Sequence, residues 1–364
     1  MMKIIEIVTS LASGGAERFV VDLSNELSKN NEVVLIILKN DAKSNYGFYR
    51  KEVLDRIKYI NLGFDDGRKL SYLWKVYKII KKENPQIVHL HSVTQYCAIA
   101  VLLLHNKIKF FQTVHNDIKR IGNILYYKLA FRIFGKLGWM KFITISKTNH
   151  VDMCNYYPKC ENVLIYNGRC PQQKTELFTT VQAEVNLLKK TENTIVFIHV
   201  ARCAEQKNQK LLIDSFNRLI KKQVDAILLI IGDNFDSKEG KVLQAEACSD
   251  IHFLGVRSNI FDYLLCSDIF VLSSIYEGMP ISLIEAMQAG VAILSTPVCG
   301  VIDVVKSGVN GVISSGFDEC SFYRAMQDIA TNKNKYLSAA KTKEFVGSFS
   351  IKETALQYIK WFKK

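Results

Sequence analysis

The sequence predicts an α/β protein of two doubly wound, parallel-sheet domains facing a cleft. Fully apolar runs of strand length recur along the chain, separated by amphipathic stretches of helix length, the habit of sheets buried on both faces. The alternation occurs twice, on either side of a polar, turn-rich segment, N-G-R-C-P-Q-Q-K-T-E (167–176), that reads as a hinge. The 364 residues suit two ordinary domains.

The elements follow in order. K-I-I-E-I-V opens as a buried strand, and Glu6 inside it argues against a signal peptide. S-G-G-A-E-R-F-V-V-D-L-S-N-E-L reads as a helix. E-V-V-L-I-I-L, P-Q-I-V-H-L-H-S, K-F-F-Q-T-V-H-N and K-F-I-T-I-S-K are strand cores. The second half repeats the pattern with N-T-I-V-F-I-H-V-A, A-I-L-L-I-I-G-D, I-H-F-L-G, D-I-F-V-L-S-S and V-A-I-L-S-T. The tail, S-F-S-I-K-E-T-A-L-Q-Y-I-K-W-F-K-K, is a closing amphipathic helix. The expected domains are residues 1–166 and 167–346, with 347–364 packing back towards the first. Ligands are expected where strand ends meet the cleft.

Composition narrows the function classes. A hydrophobic content of 48% with five prolines is globular, not disordered. No apolar window is long enough to span a bilayer, so a cytoplasmic protein is expected. Nine cysteines lie scattered without a C-x-x-C pair or zinc-like spacing, which reads as reduced core thiols. The net charge of +13 is one-sided. Residues 1–175 carry 27 Lys and Arg against 14 Asp and Glu, and the remainder balances at 21 against 21. The first half therefore faces something anionic: a phospholipid surface, a lipid phosphate or nucleic acid.

Four constellations carry chemistry. Gly14 and Gly15 open a helix straight after a strand, which presents backbone amides to a phosphate or sugar; a tight turn explains them about as well. The complete G-x-G-x-x-G of a dinucleotide site is missing. In V-A-R-C-A-E-Q-K-N, Arg202 and Lys207 lie in a strand-to-helix loop where two cations can clamp a diphosphate, or stand as solvated surface charges. In E-G-M-P-I-S-L-I-E-A (277–286), Pro280 suits the first helical position and leaves the amides of Ile281 and Ser282 to bind an anion. Glu285 projects along the same face. Carboxylates repel phosphate, so Glu277 and Glu285 must address hydroxyls on either side of it. Finally, His89 and His91 end a strand; with no third ligand evident, one is expected in the core and the other at the cleft, and no metal site is assigned.

Together these segments resemble the retaining glycosyltransferases of family 4, which have the GT-B fold of two Rossmann-like domains. The resemblance rests on the E-x7-E of Glu277 and Glu285, the R-x4-K loop at 202–207 and G-G-A-E-R near the start. T-V-H-N-D (113–117), I-T-I-S-K (143–147), I-Y-N-G (165–168), F-L-G (253–255) and G-V-N-G-V-I (308–313) follow in the same order. It implies that Arg202 and Lys207 hold the donor diphosphate and that Glu285 holds the ribose. Glu277 would face the transferred sugar, with amides from Gly278, Met279, Ile281 and Ser282 around sugar and phosphates. His115 matches the family's histidine near the reacting sugar, and Gly14 and Gly15 would close over the donor phosphate. It implies no metal and no cofactor beyond the nucleoside-diphosphate sugar, which is the substrate. Two departures stand out. Ala201 replaces the glycine usual before the clamp arginine. Arg169 and Cys170 follow N-G where a hydrophobic residue and Asp are usual, so no role is assigned to Cys170 and a simple turn suffices for Asn167–Gly168.

The implied reaction moves a hexose or N-acetylhexosamine to a lipid-linked or oligosaccharide acceptor. The setting would be O-antigen, capsule or exopolysaccharide assembly on a polyprenyl-diphosphate carrier at the inner membrane's cytoplasmic face. Residues 118–142 and 69–82 are rich in Lys and Arg with interleaved aromatics. They suit helices lying on an anionic bilayer, against the plain alternative of core aromatics and solvated cations. No nucleic-acid recognition motif accompanies the charge, so nucleic acid is not expected as a partner. Competing readings are an epimerase or hydrolase on the same fold, or a non-catalytic basic binding module.

Overall fold

The computed structural model describes residues 1–364 except 43, 66, 68, 123 and 341–348, so the expected passage into the closing helix lies outside the described residues. The chain forms two compact units, Met1–Cys170 with Phe349–Lys364, and Pro171–Ser348.

In the first unit the order is β1 (Lys3–Val8), α1 (Gly15–Leu27), β2 (Glu32–Lys39), β3 (Lys58–Phe64), α2 (Leu70–Glu83), β4 (Ile87–His91) and α3 (Thr94–Leu104). There follow β5 (Lys109–Val114), α4 (Ile118–Ile121), α5 (Leu125–Leu129) running into a π-helical turn at Ala130–Gly135, β6 (Met140–Thr144), α6 (Lys147–Tyr156) and β7 (Asn162–Leu164). The second unit runs α7 (Phe178–Leu188), β8 (Ile195–Val200), α8 (Gln209–Lys221), β9 (Ala226–Ile231), α9 (Lys238–Glu246), β10 (Ile251–Gly255) and α10 (Ile260–Leu265). It continues with β11 (Ile269–Leu272), α11 (Ile281–Ala289), β12 (Ala292–Ser295), α12 (Val301–Val304), β13 (Gly311–Ile313), α13 (Glu319–Thr331) and α14 (Lys333–Ala340). The last helix, α15 (Ile351–Lys363), belongs to the first unit.

Both sheets are wholly parallel. The first has the order β3-β2-β1-β4-β5-β6-β7 and the second β10-β9-β8-β11-β12-β13. Each is doubly wound, with its order reversing between its first and fourth strands, β1/β4 and β8/β11. The apolar runs read from the sequence are the central strands; β9, A-I-L-L-I-I, is buried along its whole length. The sequence reading did not single out β3, β7 and β13. They are edge or near-edge strands, and β3 and β7 are only partly buried, so they lack the continuous apolar signature.

The basic segment 118–142 departs from expectation. Tyr127, Phe131 and Phe134 are buried in the core with Val76, Ile80, Cys97 and Val101 of α2 and α3. These aromatics seal the sheet and do not reach a lipid headgroup. What this segment leaves exposed is aliphatic, Leu125 and, in the turn that follows, Leu137, while α2 exposes Leu70 and the indole of Trp74.

Arg169, a departure from the family pattern, has a structural task. Its Nη1 donates to Asp22 Oδ2 at 2.7 Å, while the other Asp22 oxygen takes Arg18 Nη2 at 2.6 Å, and all three residues are buried. Its backbone bridges to Ser350 at the start of α15. Gly168 is more than a turn residue, because a Cβ there would lie 2.5 Å from Thr354 Oγ1 and 2.7 Å from the Ser350 carbonyl. The N-G-R segment thus fastens α15 against the first unit.

Two predictions follow from this packing. Asp22→Ala leaves Arg169 buried without its carboxylate and should lower stability by about 3–5 kcal/mol, read as a shift of the urea midpoint; an unchanged midpoint would remove the network from the account. In the second unit, His199 is fully buried on β8, its Nδ1 donating to the Val271 carbonyl at 2.9 Å. Burial lowers its pKa to about 4 from 6.5, against that hydrogen bond and with some help from Lys207. The unfolded chain therefore binds the extra proton first, so stability should hold above pH 6.5 and fall as pH drops towards 4. His199→Asn, which keeps a donor, should flatten that acid slope in a pH series of thermal melts.

Candidate active site

In the second unit the predicted residues gather where the sheet order reverses, at the carboxyl ends of β8 and β11. After Val200 the chain leaves β8 as a polar loop with a short 3-10 turn at Glu205–Lys207. It enters α8 through Asn208, whose φ of 49° lies in the left-handed region that asparagine tolerates. Gly232 lets this loop pass close, since a Cβ there would sit 2.5 Å from the Ala201 carbonyl carbon and 3.0 Å from the Arg202 nitrogen. After Leu272 the chain leaves β11 as S-S-I-Y-E-G-M-P. The two loops are laced together: Ile275 N donates to the Gln206 carbonyl at 2.8 Å, Gln206 Nε2 to the Tyr276 carbonyl at 2.8 Å, and Ser273 Oγ to the Lys207 carbonyl at 2.8 Å.

At the centre, Lys207 Nζ donates to Glu277 Oε1 at 2.6 Å, and Ser274 Oγ donates to the same oxygen at 2.6 Å. The sequence reading gave these two residues separate duties; the structure couples them. Glu277 is buried, and a buried carboxylate needs such partners. Arg202 is exposed; its carbonyl accepts from Gln209 Nε2 at 2.9 Å. Ser274 was missed by the sequence reading, as was Gly300, whose φ is +74°. A Cβ on Gly300 would lie 2.9 Å from the Gly278 carbonyl carbon and 3.0 Å from Met279 Cα, so the glycine permits the E-G-M-P loop to rest on it. Short turn signals, S-S before the acidic motif and C-G after S-T-P-V, were the available hints.

Pro280 stands one position earlier than expected. It caps α11 with φ −65° and ψ 131°, and Ile281 is the first helical residue. The consequence for ligands is unchanged, because the first amides of a helix, here Ile281 and Ser282, have no intrahelical acceptor. Glu285 lies in the second turn and is buried, as is Met279. The loop and helix start combine exposed cationic reach, open amides and two flanking carboxylates, a set able to hold a diphosphate and read hydroxyls beside it.

In the first unit, Gly14 caps α1 and Gly15 is its first residue. The Glu17 carboxylate folds back over Gly14 where a Cβ would otherwise lie. His115 follows β5 and is half-buried. The T-V-H-N-D and I-T-I-S-K loops around it are tied by Asn149, whose Oδ1 accepts from Ile118 N at 3.3 Å and whose Nδ2 donates to the Asn116 carbonyl at 3.2 Å.

Behind His115 lies a chain of buried polar groups. His91 Nδ1 is 3.0 Å from His115 Nε2, and His91 Nε2 is 2.7 Å from Glu6 Oε2. His89 Nδ1 also lies 2.7 Å from that oxygen, off the line of a good hydrogen bond, while its Nε2 meets Thr113 Oγ1 at 2.7 Å. Thr113 Oγ1 in turn meets Tyr358 OH of α15 at 2.9 Å. Both strand histidines are buried, which corrects the expectation that one lines the cleft; His115 is the half-buried member of the set. Burial pushes the Glu6 carboxyl up, but the two imidazoles outweigh it and hold the pKa at about 2. Glu6 is also the third potential ligand that the sequence reading did not connect. The three offer ligand atoms within 4.8 Å of one another. Contacts of 2.7 Å are hydrogen-bonding separations, shorter than the roughly 3.3 Å between donors sharing a tetrahedral zinc.

Residues 13–173 match the family described as Glycosyltransferase Family 4, and residues 181–344 match Glycosyl transferases group 1. The capsular polysaccharide biosynthesis glycosyltransferase CapH of Staphylococcus aureus is 28% identical over 314 residues, 81% of this chain and 81% of that protein. The UDP-Gal:alpha-D-GlcNAc-diphosphoundecaprenol alpha-1,3-galactosyltransferase of Escherichia coli is 26% identical over 279 residues, 73% of this chain and 72% of its own length. An uncharacterised glycosyltransferase of Methanocaldococcus jannaschii is 27% identical over 240 residues, 62% of this chain and 59% of that protein. Among solved structures, HepE of Anabaena in complex with UDP and glucose superposes with a TM-score of 0.80 at 15% identity, over 100% of both chains. WaaG, a glycosyltransferase involved in lipopolysaccharide biosynthesis, does so at 0.70 and 12% identity, over 99% of each chain. These two likenesses establish the GT-B fold. With both units matched, the chain belongs to the nucleotide-sugar-dependent, retaining glycosyltransferases of family 4.

Proposed function

We propose that this enzyme moves a hexose or N-acetylhexosamine from a nucleoside-diphosphate sugar to a polyprenyl-diphosphate-linked saccharide during surface-polysaccharide assembly. The observation that carries the reading is the Lys207–Glu277 pair beside the open start of α11, where cation, amides and carboxylate sit within one laced pair of loops. The acceptor class is supported by the E. coli relative, whose name specifies a diphosphoundecaprenol-linked acceptor.

In this reading the diphosphate lies against Arg202, Lys207 and the amides of Gly278 to Ser282. Glu285 takes the ribose hydroxyls, and Glu277, Met279 and His115 address the transferred sugar. Gly14 and Gly15 approach the donor phosphate. The bond from the anomeric carbon to the diphosphate oxygen breaks, and the acceptor oxygen bonds to that carbon on the same face. The acceptor proton passes to the departing phosphate oxygen. Arg202, Lys207 and the amides stabilise the charge that develops there. No metal or further cofactor enters this scheme. Glu277, held by Lys207 and Ser274, keeps its other oxygen for sugar hydroxyls.

The first unit is assigned the acceptor and the membrane surface. Helices α2, α3 and α5 pack side by side on one face of its sheet. With the turn that follows α5 and its π-helical extension, they expose Leu70, Trp74, Leu102, Leu103, Leu125 and Leu137 among lysines and arginines. Among the described residues no helix is long and apolar enough to cross a membrane. Leucines and a tryptophan inserted between headgroups, with cations on anionic lipid, suit a peripheral enzyme at the inner membrane's cytoplasmic face.

Incubation with a panel of sugar nucleotides should yield slow donor hydrolysis. Glu277→Ala and Lys207→Ala should each lower it about 10²–10³-fold with the fold intact. Full activity in both variants would refute the site, and sugar interconversion without acceptor would favour an epimerase instead. Separately, co-sedimentation with vesicles should require anionic lipid, weaken with salt, and fall when Trp74 and Leu125 are changed to Glu. Binding indifferent to all three would overturn the membrane assignment.

A further inference from the structure

We propose that Glu6 and His91 are positioning residues that keep the proton of His115 on Nε2, so that His115 presents its bare Nδ1 to a hydroxyl group. This rests on the reading above that His115 meets the transferred sugar, and it specifies what His115 can recognise.

The argument is one of proton accounting along three side chains. Glu6 Oε2 can only accept when the carboxyl is ionised, so His91 must offer Nε2–H across their 2.7 Å contact. A neutral His91 then has a lone pair on Nδ1. That nitrogen faces His115 Nε2 at 3.0 Å, and two lone pairs at that distance would repel. The proton between them therefore belongs to His115 Nε2, and its Nδ1 is left as an acceptor. Among the described residues Nδ1 has no hydrogen-bond partner, and the residue is half-exposed.

The surroundings hold this arrangement in place. Phe19 packs its ring edge-on to both His91 and His115, with centroids 6.3 and 6.0 Å away. Ser92, directly after His91, sits at φ 59°, a costly conformation for a residue with a Cβ, and so marks a turn held by its context. His89 Nε2 is occupied by Thr113, and Thr113 by Tyr358. Burial pushes the pKa of His91 down to about 4, reinforced by His89 and opposed by Glu6, so His91 is neutral at neutral pH. Burial likewise lowers that of His115, with help from His91 and His89. Glu6 remains the anion of the set. Two neutral imidazoles behind one carboxylate admit this proton order, which begins at Glu6 and ends at His115 Nδ1.

The functional consequence is a restriction. An acceptor nitrogen can take a hydrogen bond from a sugar hydroxyl but cannot hand a proton to a leaving phosphate oxygen. His115 then orients the sugar and leaves the acid work to other groups. A donor lacking the hydroxyl it reads should lose turnover.

The test starts from the tautomer, which needs no substrate. In 15N-labelled protein, correlation spectra of the imidazoles should give His115 a proton-bearing Nε2 and an unprotonated Nδ1, its signal assigned by its loss in His115→Gln. His91→Phe removes the acceptor and should release His115 to a mixture of tautomers, with UDP-glucose hydrolysis falling about tenfold or more. His91→Asn places an amide oxygen near the old Nδ1 and should restore the Nε2–H form and most of the rate. A wild-type His115 protonated on Nδ1 overturns the proposal, as does stoichiometric zinc whose removal shifts the His89 and His91 signals. Equal losses in His91→Phe and His91→Asn with an unmoved tautomer also overturn it, reducing His91 to a packing role. If His115→Gln hydrolyses UDP-glucose at the wild-type rate, the placement of His115 at the sugar is itself wrong. If it does not, yet His91→Phe changes neither tautomer nor rate, only the relay falls.

Discussion

A parallel sheet whose strand order reverses in its middle sends its connections away in opposite directions from two adjacent strands. Their carboxyl ends are left uncovered by either crossover. The candidate site of this chain depends on that constraint, and it operates twice. In the second unit it exposes the ends of β8 and β11, which carry Arg202, Lys207 and Glu277. In the first it brings Glu6 of β1 into register beside His89 of β4, with His91 two residues further on. Strands buried on both faces supply the rigidity, and the reversal supplies a gap into which polar side chains can be brought together.

The polar groups placed there obey the rules of burial. A carboxylate withdrawn from water must be compensated by charge or by hydrogen bonds. Glu277 meets this requirement with Lys207 and Ser274, and Glu6 with imidazoles from the neighbouring strand. In both cases the proposed chemistry draws on the compensating partner: Lys207 is held in place by the carboxylate beside it, and His91 meets the Glu6 carboxylate through Nε2. The same logic away from the site binds Asp22 between two arginines and anchors α15 to the first unit.

Much of this was legible in the sequence because it rests on local periodicity and on motifs of fixed spacing. Apolar runs such as A-I-L-L-I-I and D-I-F-V-L become the central strands, and E-x7-E becomes a loop and a helix start. Glu285, set among the apolar residues of S-L-I-E-A-M, is buried as those neighbours suggest. Where the reading failed, the deciding contacts are long-range. The strands β3, β7 and β13 lie at or near sheet edges and are paired from one side, so their patterns carry little signal. The aromatics of 118–142 have the spacing of a membrane-facing stripe and that of a core stripe alike; only packing against α2 and α3 distinguishes them.

The sequence by itself determined the fold class, the family and the chemical types gathered at the candidate site, because these depend on burial patterns and spacings within single segments. The tertiary structure decided the pairings. Lys207 and Glu277 are 70 positions apart, and Glu6 and His91 are 85 apart. Nothing in either local stretch encodes which distant partner will satisfy a buried charge. Sheet order and register choose that partner, and with it the duty of each residue.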